Sequence, residues 1–517
     1  MSRRRWAVVA VVIALVALLG KDRRPLRTTV PPDPSRTRYN VILVSVDTLR
    51  ADRLGCYGYD ARPTSPVIDA LADESVLFEH LMTAAPWTTP AHLSLLTSLY
   101  PSSHGVTVSF GEVWRGLKFG AQSYYRLPDS RVTLAEVLAA RGFKTVAFTG
   151  GGSVDPTIGF GRGFSSYGTS MFKLGDENVG EMLSWIQTNR DQQFFLFWHH
   201  FEVHAPYLNP DFVSEVAPKG QAKAIAERMH EIASAPLASL WPANFEWFGL
   251  QLKSDLRAHG AFNRDVCEAL YTGGVLAADR WLGRLIDALR QQGVYDRTIL
   301  VVTSDHGEEF GDHTREFWYD MHGHSTYEEV IHVPLLIKLP GGYAGGTRVP
   351  TVVETVDVMP TILDVLKIVP SKNEMQGRSL APLWASGAPR EQDWVAFTES
   401  SARPSEKKCV RTSRYKYIVH IDAATVAARG RKNLPDGPLS AMLYDLRRDP
   451  GEHRNLLESN PTPQTLSIAA DLEKRLRRHL AEQRGEAESA PLDTAVIERL
   501  KGLGYIGDDG AASNTGS

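Results

Sequence analysis

The sequence predicts an α/β fold with a mostly parallel central sheet, and two observations carry that expectation. Short apolar runs rich in β-branched residues recur at 41–46, 145–148, 194–198 and 298–303. They are continuous rather than alternating, which suits strands covered on both faces. Helix-like stretches separate them at 66–75, 133–141, 178–190 and 271–292, and strand alternating with helix is the pattern of crossover-linked parallel strands. The chain has 517 residues, 43% hydrophobic and 23% charged, enough for one large domain of this class with a smaller partner.

The ends of the chain read differently. Arg3, Arg4 and Arg5 precede an apolar run from Trp6 to Leu19, closed by Gly20, Lys21, Asp22, Arg23 and Arg24. The run is shorter than the roughly 20 residues of a spanning helix but fits the apolar region of an export signal. Residues 1–24 are therefore expected to be a signal peptide or an uncleaved signal anchor, with 25–39 as linker. The folded part would be exported, either periplasmic or anchored to the inner membrane facing the periplasm. Beyond the main domain at 40–385, residues 394–398 and 415–420 read as short strands and 463–483 as a closing helix. A subdomain is expected at 386–485, followed by a partly disordered tail at 486–517.

Bulk charge narrows the partners. A net charge of −3 implies no polyanionic partner, so nucleic acid is excluded as a target. Cys56, Cys267 and Cys409 lie far apart without metal-ligand spacing, which excludes a disulfide scaffold and a zinc ribbon. They read mostly as small buried residues, with one disulfide left open.

The first strand ends at Asp47, and 298–303 leads into Asp305 and His306. A lone aspartate at a strand end is usually a cap or turn residue. Two of them at the carboxyl ends of parallel strands, where such sheets bind ligands, offer hard oxygens beside an imidazole. A hydroxyl from Thr88 would complete a site for one divalent ion.

Seven segments then occur in order: Asn40-Val-Ile-Leu-Val-Ser-Val-Asp47, Thr88-Thr-Pro-Ala-His92 with Tyr100-Pro-Ser-Ser-His-Gly105, Gly142-Phe-Lys-Thr-Val-Ala-Phe148, His204-Ala-Pro-Tyr207, Thr303-Ser-Asp-His-Gly-Glu308, Tyr327-Glu-Glu-Val-Ile-His-Val-Pro334, and Leu443-Tyr-Asp-Leu446 with Asp449-Pro450 and Asn455-Leu456. This series resembles the sulfatase family of the alkaline phosphatase superfamily. The resemblance implies an alkaline-phosphatase-like sandwich with a smaller C-terminal antiparallel sheet and a helix. It assigns Asp47, Thr88, Asp305 and His306 to the metal and Thr88 to the nucleophile position. His204 resembles the family histidine that contacts the ester or protonates the leaving group. His324 falls near a sulfate-holding lysine, with a surface imidazole as the equal alternative. His92, His204 and His324 are the candidate substrate contacts.

The departures from the family pattern set the chemistry. The family nucleophile, formylglycine, is made from Cys or Ser, so Thr88 cannot become it; His92 also replaces the arginine that maturation reads. Thr48 stands where a second aspartate is common, and His306 where an asparagine is usual. Nitrogen in place of oxygen moves metal preference toward manganese or zinc, with calcium the alternative. Superfamily relatives with a threonine nucleophile act on phosphate esters. The expected function is an exported metal-dependent hydrolase of sulfuric or phosphoric esters, its substrate a small molecule or a glycan. The alternatives are a transferase moving a phospho-head group onto envelope glycan or lipid, and an inactive module that binds anionic glycans.

Two stretches could line a pocket mouth: 113–127, with Trp114, Tyr124 and Tyr125, and 218–262, with Trp241, Phe245, Trp247 and Phe248. Residues 222–234 have the apolar spacing of a packed lid whose loss would change substrate choice more than stability.

Overall fold

The computed structural model describes residues 31–107, 123–170, 176–205, 207–234, 264–313, 322–371, 374–385, 394–401, 406–422, 424–426, 434, 440–482 and 485–491. The expected signal segment, residues 25–30 of the linker, Trp114, Trp241, Phe245, Trp247, Phe248 and most of the tail lie outside them.

Nine strands come first in chain order. They are β1 (Asn40–Val46), β2 (Val76–Met82), β3 (Ser123–Arg126), β4 (Lys144–Gly150), β5 (Ser166–Ser170), β6 (Phe194–His200), β7 (Thr298–Thr303), β8 (His332–Lys338) and β9 (Thr347–Glu354). All but β3 join one sheet in the order β5-β4-β6-β1-β7-β8-β2-β9. The five strands from β5 to β7 run parallel. β8 is antiparallel to both β7 and β2, and β2 is parallel to β9. The mostly parallel expectation therefore holds, with one reversed strand in the less regular half.

The continuous apolar runs have a direct structural reading. In β1, Ile42, Val44 and Val46 enter one hydrophobic cluster, while Val41 and Leu43 enter the cluster on the opposite face. Side chains alternate across a strand, so a sheet covered on both sides leaves no position for a polar face. Helices supply the cover. The helix Arg264–Gln291 lies on the first face and starts earlier than the sequence spacing indicates. Its buried Asp279 accepts hydrogen bonds from the backbone N–H groups of Val67 (3.0 Å) and Ile68 (2.8 Å). It thereby satisfies the start of the helix Pro66–Asp73, whose own N-cap residue Ser65 supplies no side-chain cap.

A second layer follows at the C-terminus. Strands β10 (Ala396–Ser400), β11 (Glu406–Arg411), β12 (Tyr415–Ile421) and β13 (Ser440–Asp445) form an antiparallel sheet. The helix Pro463–Glu482 packs on it through Leu472, Leu476 and Leu480 against Val410, Tyr417, Val419 and Leu443. A short strand β14 (Glu488–Pro491) pairs antiparallel with β3. None of the three cysteines forms a disulfide; Cys267 and Cys409 are buried and Cys56 is half-buried.

The segment read as a lid has a different role. Helix Ala222–Ser234 exists, but Ile225, Met229 and Ile232 are buried in the same core cluster as Phe212, Val213 and the long helix Arg264–Gln291. Its apolar spacing reports core packing. We expect Met229→Ala to destabilise the protein by about 2–4 kcal/mol, the usual cost of truncating a large buried side chain. Denaturant unfolding at constant slope checks this, and a loss well below that range would reinstate the lid reading.

Candidate metal centre

Strand register builds the centre. β1 and β7 are parallel neighbours with Ser45 opposite Thr303, so Asp47 and Asp305, each two residues further on, emerge side by side at the carboxyl end of the sheet. Both are buried. Thr48 turns the chain just after β1 with φ 58°, a left-handed conformation that a β-branched residue adopts only at a cost. Its neighbours hold it there. Thr48 N–H donates to Asp305 Oδ1 at 3.3 Å, and its hydroxyl donates to the Asp47 carbonyl at 2.7 Å. The Tyr271 hydroxyl donates to the Thr48 carbonyl (2.7 Å) and accepts from the Arg50 N–H (2.9 Å).

The helix Thr88–Thr97 is buried at every position and delivers its first residue to this point. Thr88 Oγ1 lies 3.2 Å from His306 Nε2. His306 Nδ1 is 2.9 Å from the Gly307 carbonyl. A carbonyl only accepts, so Nδ1 carries the proton and Nε2 accepts from the Thr88 hydroxyl. His306 Nε2 also lies 3.3 Å from Asp305 Oδ2 and 3.6 Å from Asp47 Oδ1. Among the described residues neither of those two carboxylate oxygens has a hydrogen-bond donor. Asp47, Asp305 and His306 present ligand atoms all within 4.8 Å of one another. Two orphaned buried oxygens beside an unprotonated imidazole nitrogen and a hydroxyl fit a divalent cation.

Electrostatics give the same answer. Burial, and then the facing Asp305, push the Asp47 carboxyl up to about 7. Burial alone would raise Asp305 too, but His306, His92 and His199 outweigh it and hold that group down at about 2. Burial pushes His306 and His92 down to about 4, so these two imidazoles are neutral at physiological pH and supply no full counter-charge. A dication would supply it.

His92 sits one turn into the helix with no exposed surface. Its Nδ1–H donates to the Thr88 carbonyl at 3.0 Å and lies 3.4 Å from Asp305 Oδ2; Nε2 is 2.9 Å from Ser45 Oγ. The structure thus places this candidate substrate contact beneath Thr88, tying the helix start to β1 and Asp305 rather than reaching bound substrate.

The other candidates form an outer ring. His204 follows β6, stacks on Phe201 at 4.3 Å between ring centres and hydrogen-bonds through Nδ1 to the Ala205 carbonyl. His322, unassigned by sequence, packs 4.5 Å from the His306 ring and 5.3 Å from the His204 ring. Its Nδ1 is 3.2 Å from Glu308 Oε1, and the Tyr207 hydroxyl donates to the other Glu308 oxygen at 2.7 Å. Burial would raise Glu308, but His322 outweighs it and, with His204 and Tyr207, holds the carboxylate below the usual range. His324 lies further out, its side chain 47% exposed, with Nε2 3.9 Å from Glu309. His322, not His324, is the loop histidine packed against the centre. His199 was also missed. The signal for it was the doubled His199-His200 at a strand end: alternation sends one ring to each face, and His199 faces Asp47 at 3.2 Å.

Comparison with known proteins gives the class. A sulfatase family profile matches residues 39–368, and a profile for the C-terminal part of N-sulphoglucosamine sulphohydrolase matches 311–482. The chain belongs to the sulfatase family, a group of sulfuric and phosphoric ester hydrolases. Among individual relatives it is 25% identical over 513 residues to an ulvan-active sulfatase of Formosa agariphila, covering 93% of this chain and 88% of that one. It is 26% identical over 504 residues to the multifunctional alkaline phosphatase superfamily protein PehA of Trinickia caryophylli, covering 81% and 91%. Two solved structures share the fold. A 2-O GAG sulfatase superposes with a TM-score of 0.62 at 21% identity, covering 86% of this chain and 92% of that one. The phosphonate monoester hydrolase of Agrobacterium radiobacter gives 0.60 at 21% identity, covering 88% and 97%.

Two outcomes test the geometry. Tyr271→Phe removes a hydroxyl that serves two buried backbone groups, and should cost about 1–3 kcal/mol in chemical denaturation. A chelator should lower the melting temperature of the full-length protein, and manganese or zinc at about 100 times its dissociation constant should restore about 2.7 kcal/mol of stability. An unchanged melting curve in both directions would contradict a structural ion at this centre.

Proposed function

We propose that this sulfatase-family hydrolase is metal-dependent, uses Thr88 as its nucleophile and prefers phosphorus esters to sulfate esters. The observation that carries the reading is the Thr88 hydroxyl at the start of a buried helix, donating to His306 beside two unpartnered carboxylate oxygens. Asp47, Asp305, His306 and Thr88 would hold the ion. When bound, the ion supplies positive charge that lowers the hydroxyl pKa and balances the transferred group.

The remaining steps belong to the chain. The start of the buried helix holds Thr88 Oγ beside His306 Nε2, whose lone pair would go to the ion when it is bound, and aims Oγ toward the ester. The positive end of the helix Thr88–Thr97 faces the incoming anion. Thr88 gives up its hydroxyl proton to solvent and its Oγ attacks phosphorus, the P–O bond to the leaving group breaks, and His204 donates a proton to the departing oxygen. His204, now neutral, takes a proton from the water that attacks phosphorus in the phosphothreonine, the P–Oγ bond breaks, and Thr88 Oγ regains a proton from solvent. A sulfothreonine lacks an equally easy release, because an unmodified threonine cannot expel sulfate as an aldehyde hydrate can. This difference favours phosphorus over sulfur at Thr88. The family likeness to sulfatases and the similarity to PehA leave both ester classes for direct test. Export through the N-terminal apolar segment, in the periplasm or at its inner-membrane boundary, belongs to the same proposal, with a small-molecule or glycan ester as substrate.

The test is hydrolysis of matched p-nitrophenyl sulfate, phosphate monoester, phosphodiester and phosphonate by the full-length protein with manganese, zinc or calcium. Turnover should be fastest on a phosphorus ester and fall at least about 1,000-fold in Thr88→Ala, since loss of a covalent nucleophile removes the main route. Sulfate turnover that survives Thr88→Ala would overturn the assignment. His204→Ala should slow alkyl esters about 100-fold or more while leaving p-nitrophenyl esters, which need no proton, much less affected.

A further inference from the structure

We infer that His199 is a metal ligand, donating its Nε2 to the ion held by Asp47, Asp305 and His306. The inference rests on the metal-dependent reading above and names a residue that reading does not use.

Register places it. Thr149 of β4 lies opposite His199 of β6, His199 opposite Ser45 of β1, and Ser45 opposite Thr303 of β7. Residues level with one another on neighbouring strands share a face, so this row lies on the side of the sheet where His92 reaches Ser45. His199 therefore enters beneath the Thr88 helix from the flank opposite His306. His306 approaches Asp47 through Oδ1 and His199 through Oδ2.

The hydrogen bonds fix which nitrogen is available. His199 Nδ1 lies 2.7 Å from the Gly150 carbonyl oxygen. That oxygen cannot donate, so Nδ1 carries the proton and Nε2 carries a lone pair. Nε2 lies 3.2 Å from Asp47 Oδ2, with the two side chains 1% and 0% exposed. A lone pair facing a carboxylate oxygen in a site closed to water is repulsive unless a proton or a metal cation lies between them. Histidine ligands are oriented in this way, the second ring N–H resting on a backbone carbonyl.

Two neighbours narrow the choice. His92, His199 and Asp305 offer ligand atoms within 4.8 Å of one another, but both nitrogens of His92 are already engaged, by the Thr88 carbonyl and Ser45. Thr48 turns its hydroxyl hydrogen onto the Asp47 carbonyl. His199 Nε2 joins His306 Nε2 as a second imidazole lone pair facing the carboxylates. Two imidazole nitrogens with carboxylate and hydroxyl oxygens form a donor set that suits zinc or manganese better than calcium.

The experiment compares full-length wild type, His199→Gln and His199→Asp, stripped of metal and titrated calorimetrically with zinc chloride or calcium chloride alone. The visible spectrum of the cobalt-loaded proteins is recorded in parallel. His199→Gln should weaken zinc binding at least about tenfold and change the cobalt spectrum. His199→Asp, with oxygen in place of nitrogen, should shift the zinc-to-calcium affinity ratio toward calcium. Melting of the metal-free proteins separates ligation from folding, because a purely structural role would lower both variants' stability without moving that ratio. Zinc affinity and cobalt spectrum unchanged in both variants would overturn this inference alone. A wild-type protein that takes up no ion would overturn it together with the metal-dependent reading.

Discussion

The centre depends on one electrostatic constraint: Asp47 and Asp305 are buried side by side with no lysine or arginine of the described residues paired to either. Desolvation and mutual repulsion oppose their joint ionisation. Burial holds His92, His199 and His306 toward the neutral form, so they orient the carboxylates without balancing their charge. The protein concentrates negative potential at one point at the carboxyl edge of its sheet, and a divalent cation is the species that relieves it. On the proposed reading Thr88, placed against the same point, has its hydroxyl activated by that arrangement rather than by a dedicated basic side chain.

The rest of the fold holds this point still. Two parallel strands bring the carboxylates level, and the strained turn at Thr48 is fixed by Asp305, Tyr271 and its own hydroxyl. The helix Thr88–Thr97 is buried all round and tied at His92 to Ser45, so its first residue cannot drift from Asp305. The long helix Arg264–Gln291 contributes twice, through Asp279 at the start of the helix Pro66–Asp73 and through Tyr271 at the turn after β1. Parts remote in sequence thus meet on a few ångströms of backbone, where small displacements separate ligand atoms.

Much of this was legible in the chain. The apolar runs at 41–46 and 298–303 coincide with β1 and β7, and Asp47, Thr88, Asp305 and His306 come together as their motifs imply. Other features were hidden for physical reasons. His199 was masked because a histidine in an aromatic-rich strand reads as core, and only the register with Ser45 shows which way it faces. His322 and His324 could not be ranked, since two residues apart in a loop carry no periodicity. The 222–234 segment has the same spacing whether it covers a pocket or fills a core, and only its buried neighbours decide between the two.

The account turns on a covalent bond to Thr88. The most direct measurement is rapid acid quenching during turnover of a phosphorus ester, followed by peptide mapping for a phosphorylated residue. The account predicts transient phosphate on Thr88, formed and lost at rates that match turnover. Steady turnover with no modification at Thr88, or with net inversion at phosphorus indicating direct attack by water, would contradict it.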